Sequence, residues 1–265
     1  MLSICTTIKN RSRVHTDNGT LFLFPNAIKS LASSLRLNDD VELVIADWES
    51  TDWPLREWIE DCIPHIPIHI STISGREGFS AGLGRNVAAK HASGDLLFFM
   101  DADMLVNRAV IEYGLKVANN GAYYPTVVYK LDNDKEIIHE GGGNVFMAPE
   151  LLKRAGGWPE YWEHGFEDTD LCAKITEISP IITNDKISIF HQWHPQTNIF
   201  KNMHASTEED KLSTIEETRR NHQKQSEDNQ RAIELAISKS LTRNPNTTHS
   251  GLNSPVRADT RGLRI

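Results

Sequence analysis

The run Leu97-Phe98-Phe99-Met100, followed at once by Asp101-Ala102-Asp103, restricts this chain more than any other stretch. A strand that is apolar on both faces needs cover on each side, which is the situation of a central strand in an α/β sheet. Its carboxyl end is where open α/β sheets hold their ligands. Two aspartates at i and i+2 repel each other in a crevice unless a cation lies between them. Hard oxygen ligands of this kind suit Mg²⁺ or Mn²⁺, which in turn would hold a diphosphate. The same residues also read as a strand ending in an acidic turn, so the context has to decide.

The pattern upstream is of strands alternating with helices. Strands are expected at 2–7, 41–46 and 66–73, with Pro64 and Pro67 placing the third near an edge or making its start irregular. Helices are expected at 22–35, 53–62 and 81–91, the last capped by Ser80. This alternation predicts a right-handed, mostly parallel sheet. After Met104 a helix to about residue 119 is expected. Extended segments at 122–131 and 135–139 would follow, joined by the Leu131-Asp132-Asn133-Asp134 turn into an antiparallel hairpin on the sheet. Gly141-Gly142-Gly143-Asn144 would let backbone approach something closely. A short strand at 145–147, a helix from Pro149 to about residue 155, a Gly156-Gly157 break and a helix over 167–178 come next. A last strand at 187–190 runs into His191-Gln192-Trp193-His194.

The hydrophobic fraction, 39%, is a little low, which points to a polar segment diluting the core. That segment is 207–240, rich in charge and amide, and it reads as a long exposed helix with sparse apolar anchors. Residues 241–265 carry few apolar side chains and read as disordered. The expected organisation is a catalytic-type domain over 1–200, a helical polar extension over 201–240 and a tail over 241–265. A net charge of −8 argues against nucleic acid or an anionic membrane surface as the main partner. Three scattered cysteines fit neither a disulfide framework nor a zinc knuckle, and they suit a reducing cytoplasm. No signal peptide and no membrane-length apolar run is present, so a cytoplasmic protein is expected, with peripheral contact at the inner membrane face left open.

Five polar clusters follow the expected strands or lie in loops: 7–11, 47–52, Arg85-Asn86, Asp101-Ala102-Asp103 and 162–170. Taken singly, each reads equally well as an ordinary polar loop, a cap or a surface ion pair. Taken in order, the sequence resembles the GT-A fold nucleotide-sugar glycosyltransferases of family 2 over roughly residues 2–195. The resemblance is carried by the first-strand loop, Val44-Ile45-Ala46-Asp47 with Ser50-Thr51-Asp52, Gly84-Arg85-Asn86 with Ala88, and Met100-Asp101-Ala102-Asp103. The block from Gly156 to Leu171 is similar to the acceptor-side block of β-1,4-galactosyltransferases and polypeptide N-acetylgalactosaminyltransferases.

The resemblance implies an α/β GT-A fold, Rossmann-like, with a mostly parallel central sheet flanked by helices. It implies a metal-dependent, inverting hexosyltransferase that moves one sugar, first guess galactose or N-acetylgalactosamine, from a UDP-sugar to a saccharide or glycolipid. Thr7 and Arg11 would lie near the nucleotide, Asp47 would meet the base, Arg85 the diphosphate or donor sugar, and Asp101 the ribose or sugar hydroxyls. Asp103 would bind Mn²⁺ or Mg²⁺ with His191, preferred because it follows the last strand, or with His194. Asp168 would be the general base, Glu167 would hold the acceptor, and Trp158 and Trp162 would offer flat faces to a sugar ring. The chain departs from many family members in Thr6-Thr7-Ile8-Lys9-Asn10 and in Ala46-Asp47-Trp48. It also lacks the Gln-x-x-Arg-Trp motif of processive synthases, which favours a single addition. A retaining transferase on the same fold and a non-catalytic sugar-nucleotide binder are the alternatives.

Overall fold

The computed structural model describes residues 1–76, 78–131, 137–139, 142–161 and 167–195. The expected extension over 201–240, the tail over 241–265, the Asp132-Asn133-Asp134 turn and Trp162 lie outside the described residues.

Chain order begins with β1 (Leu2–Ile8), β2 (Val14–Thr16), β3 (Gly19–Leu21), α1 (Leu23–Ser34) and β4 (Val41–Asp47). A 3-10 turn at Leu55–Glu57 and the single helical turn α2 (Ile59–Cys62) replace the continuous short helix expected there. Next come β5 (Ile68–Thr72), α3 (Ala81–His91), β6 (Leu96–Phe99), β7 (Met104–Leu105), α4 (Arg108–Val117), β8 (Ala122–Tyr123), β9 (Val127–Leu131) and β10 (Ile137–His139). The chain then forms β11 (Val145–Met147), α5 (Pro149–Arg154), α6 (Glu167–Ile178), β12 (Ile181–Ile182) and β13 (Ser188–Gln192).

The seven-stranded central sheet has the order β12-β8-β11-β6-β1-β4-β5. β6, β1, β4 and β5 run parallel, and β11 enters antiparallel between β6 and β8. Each central strand divides its side chains between two apolar layers. Ile4, Leu43, Ile45 and Phe98 pack with Phe24, Ile28 and Leu31 of α1 and with Val110 and Ile111 of α4. Cys5, Val44, Ala46, Leu97 and Phe99 pack with Ala88 of α3, Leu151 and Leu152 of α5, and Leu171 and Ile175 of α6. Cover on both faces is why these strands read as unbroken apolar runs. β5, with Pro67 just before it, is the sheet edge.

A second sheet, β10-β9-β13-β7, lies on the α1 side, where Met104, Val128 and Ile189 join the first apolar layer. Three expectations change here. Met104 opens a strand rather than a helix, and α4 starts only after Asn107, whose side chain caps it by accepting from Val110 N–H at 3.2 Å. The extended stretch 122–131 is two strands in different sheets, and the β9/β10 hairpin belongs to the small sheet, not the central one. The last strand extends to Gln192, since β13 pairs with β9 and β7 on its two sides through that region. His191 is therefore part of the strand. Among the described residues no helix is long and apolar enough to cross a membrane.

Candidate active site

The carboxyl ends of β1, β4 and β6 open towards one end of the sheet, and the loop after β6 brings Asp101 and Asp103 there. Asp101 is held on three sides. Its backbone N–H donates to Asn144 Oδ1 at 3.0 Å, and Asn144 Nδ2 donates to Asp101 Oδ2 at 3.0 Å. Arg85 Nη2 donates to Asp101 Oδ1 at 2.6 Å. Arg85 Nη1 donates to Glu167 Oε1 at 2.8 Å, and the guanidinium lies 4.4 Å from the centre of the Trp158 ring. A planar fork that bridges two carboxylates and stacks on an indole is a task for arginine and not for lysine. Burial opposes the charge on Arg85, but Asp101 and Glu167 more than offset it and raise its pKa.

Several of the expected site residues are drawn into or packed beside this network. The Arg85 and Glu167 side chains are each only 6% exposed. Arg85 thus joins two carboxylates, with Glu167 buried beside it. Trp158 is 2% exposed and packs edge-on against Phe99 with ring centres 5.1 Å apart, within the apolar core. The Thr7 hydroxyl donates to Ala46 C=O at 3.2 Å and accepts from Trp48 Nε1 at 3.1 Å, so its bonds fix β1 against β4. Asn86 clamps the 158–160 loop, accepting from Trp158 N–H and donating to Trp158 C=O and Glu160 Oε1, each at 2.9 Å.

Within the glycine run, Gly142 and Gly143 do bring backbone close, while Gly141 lies outside the described residues. A Cβ on Gly143 would fall 2.4 Å from Asp101 Oδ2 and 2.5 Å from Arg85 Nη2, and one on Gly142 would fall 2.4 Å from Asp168 Oδ2. Asp168, at the start of α6, accepts from Thr169 N–H at 2.7 Å. Burial, reinforced by the neighbouring Glu167, raises its pKa above the ordinary carboxylate range, and Arg85 only partly offsets this.

On the other side of Asp101, Asp103 meets both histidines. His194 Nε2 lies 3.1 Å from Asp103 Oδ2, and His191 Nε2 lies 4.0 Å from Oδ1. Burial alone would raise the Asp103 pKa, but the His194 hydrogen bond, His191 and the charge of Arg11 bring it to about 2. One ligand atom from each of Asp103, His191 and His194 can be chosen so that all lie within 4.8 Å of one another, the one such set among the described residues. The expected choice between the two histidines gives way to both together. His194 Nδ1 is 2.9 Å from the Pro195 carbonyl, which can only accept, so Nδ1 carries a proton. A neutral ring then turns a lone pair from Nε2 towards the Asp103 carboxylate, an arrangement satisfied by a proton or by a shared cation. Imidazoles held in this way by a backbone carbonyl are the usual form of metal-ligating histidine. The residues present therefore fit a divalent cation.

Asp47 ends β4 beside Ile8 of β1, and its Oδ1 accepts from Ser50 N–H at 3.0 Å. The chain between β1 and β2 is cross-tied to the loop after β4 by Asn10 N–H to Ser50 Oγ at 3.0 Å and by Thr51 N–H to Asn10 Oδ1 at 2.8 Å. Three residues that support the site, Asn144, Asn86 and Gln192, had no assigned role in the sequence. The glycine run before Asn144 was the local sign of the first, and the Arg85-Asn86 pair of the second.

The glycosyl transferase family 2 profile matches residues 23–166. The chain belongs to that family. The fold agrees. The mannosyltransferase PcManGT from Pyrobaculum calidifontis, in complex with GDP-Man and Mn²⁺, superposes with a TM-score of 0.58 at 18% identity, covering 93% of this chain and 75% of that one. S. aureus TarS 1–349 in complex with UDP-GlcNAc gives 0.57 at 17% identity over 75% and 60% of the two chains. GalNAc-T7 with UDP, GalNAc and Mn²⁺ gives 0.55 at 14% identity over 74% and 43%. This family 2 chain thus spans about 60% of the TarS fragment's length. No curated protein matches the sequence.

Proposed function

We propose that this family 2 chain transfers a single sugar from a nucleotide-diphosphate sugar, first choice a UDP-sugar, to a hydroxyl of a saccharide or glycolipid, with inversion at the anomeric carbon. The observation that supports the reading is the presence of two chemically distinct groups at the same end of the sheet as the Asp101–Arg85 pair. One is the Asp103, His191 and His194 set, and the other is the Asp168 carboxylate with its raised pKa. Two imidazoles beside one carboxylate favour Mn²⁺ over Mg²⁺, which prefers oxygen ligands alone.

A divalent cation bound there supplies stabilisation of the negative charge that gathers on the diphosphate as it leaves. Asp101, fixed by Arg85 and Asn144, presents its remaining acceptor capacity to donor sugar or ribose hydroxyls. Asp47, at the end of β4, is suited to accept from an imide N–H of the base, and Arg11 adds positive charge on the Asp103 side. Asp168 takes the proton of the acceptor hydroxyl as its oxygen bonds to the anomeric carbon. The bond from that carbon to the diphosphate oxygen breaks, and its electron pair leaves with the nucleotide. Glu167 and Arg85 keep Asp168 ionisable but basic.

Incubation with a panel of UDP- and GDP-sugars plus Mn²⁺ is expected to release the nucleotide diphosphate slowly from one donor, and Asp103→Ala is expected to abolish this. Release from every donor tested that is identical in the variant, or no release and no Mn²⁺-dependent nucleotide binding, contradicts the enzyme reading. Release from a GDP-sugar alone corrects the base. An α-linked product from an α-linked donor removes the role given to Asp168.

A further inference from the structure

Gln192 lies between the two histidines in sequence, yet it points away from solvent: it is 7% exposed. Its Nε2 donates to Leu23 C=O at 2.8 Å, at the start of α1, and to Asp103 C=O at 3.2 Å. Its Oε1 accepts from Asn26 Nδ2, one turn further along α1, at 3.1 Å. Its backbone N–H also donates to Asp103 C=O at 3.1 Å. One side chain therefore joins three segments distant in sequence: the loop that carries Asp103, the strand that carries His191, and the amino end of α1. Both amide hydrogens and the amide oxygen have partners, so the carboxamide can be neither flipped nor displaced without leaving a buried polar group unpaired.

We propose that Gln192 is the positioning residue of the cation set, holding the backbone of Asp103 against β13 so that its carboxylate and the two imidazoles face one point. The inference rests on the cation reading above and extends it to a residue that touches neither the cation nor the substrate. Residues at that remove typically change metal affinity 10- to 100-fold when altered. The alternative is a purely structural clasp, whose loss would lower stability and leave a folded site as it was.

The experiment titrates Mn²⁺ alone into the full chain, reading free Mn²⁺ by electron paramagnetic resonance, with thermal unfolding of each cation-free variant alongside. Gln192→Leu is expected to bind Mn²⁺ about 10- to 100-fold more weakly. Leu31→Ala, a core change in α1 outside the set, is expected to lower the melting temperature and leave Mn²⁺ affinity at the wild-type value. Asn26→Ala removes only the donor to Gln192 Oε1 and is expected to weaken binding by a smaller factor. Wild-type affinity in folded Gln192→Leu overturns the proposal. If that variant does not fold, wild-type affinity in Asn26→Ala does so instead. Failure of the underlying reading looks different: the wild type and Asp103→Ala then bind Mn²⁺ equally poorly.

Discussion

At the carboxylate of Asp168, burial and the adjacent Glu167 favour the proton while Arg85 opposes it, and the balance raises the pKa. The native state then binds more protons at this site than the unfolded chain, whose aspartate titrates near about 3.9. Stability contributed here is greatest below that value and falls as pH rises through the raised native pKa. Asp168→Asn keeps a side-chain acceptor for Thr169 N–H and removes the buried charge. It is expected to melt higher than wild type at pH 7 and to transfer sugar about 10²- to 10⁴-fold more slowly, with donor binding retained. A lower melting temperature together with full activity would remove both halves of the argument. On the proposed mechanism the same proton would set the acidic limb of kcat/KM in the wild type, expected above the ordinary carboxylate range.

Among the elements, α3 comes close to the sheet at Gly84. A Cβ on Gly84 would fall 1.9 Å from Thr7 Oγ1 and 3.0 Å from Trp48 Nε1, inside the hydrogen bonds that join β1 to β4. Alanine is the better helix former by about 1 kcal/mol, yet overpacking of about 1–3 kcal/mol should prevail because the clash is with a bonded hydroxyl. Gly84→Ala is expected to lower the urea midpoint, and a raised midpoint would show that α3 can slide. The parallel strands were legible because cover on both faces makes them apolar throughout, as Leu97 to Phe99 are. Ser80 was legible as a cap because that bond is local, and it indeed accepts from Leu83 N–H at 3.2 Å. The β2–β3 hairpin was missed, although Asp17-Asn18 followed by Gly19 is a turn signal, because the three-residue strands Val-His-Thr and Gly-Thr-Leu carry almost no periodicity. At the site, the grouping of Asp103 with His191 and His194 was legible from the order of the motifs, but which side chains would be buried was not. Trp158 is buried by Arg85 and Phe99, and Glu167 by Arg85, through contacts that no local pattern encodes.

Across the whole molecule, stability is concentrated in the middle of the central sheet. β1 has parallel partners on both sides, seven paired positions with β4 and four with β6, and both apolar layers press on these strands. Amides there are expected to need the largest openings to exchange, whereas β2 and β3 pair with each other alone among the described strands and have no buried residue. Hydrogen exchange followed by mass spectrometry is expected to protect β1, β4 and β6 longest and the hairpin least. Comparable protection of the two regions would mean that the hairpin is held by something beyond its own pairing.

The small sheet has a consequence for how the protein is made. β13 docks between β9 and β7, so the last described strand fills the middle of its sheet rather than an edge. A nascent chain that has left the ribosome only as far as β12 already holds Asp47, Arg85, Asp101, Asp103 and Asp168. It lacks His191 and His194, and the strand that sits between β9 and β7 has yet to be made. During biosynthesis, the Asp103, His191 and His194 set can therefore assemble only in one late step, when a single strand slots in between β9 and β7 and brings His191, Gln192 and His194 with it.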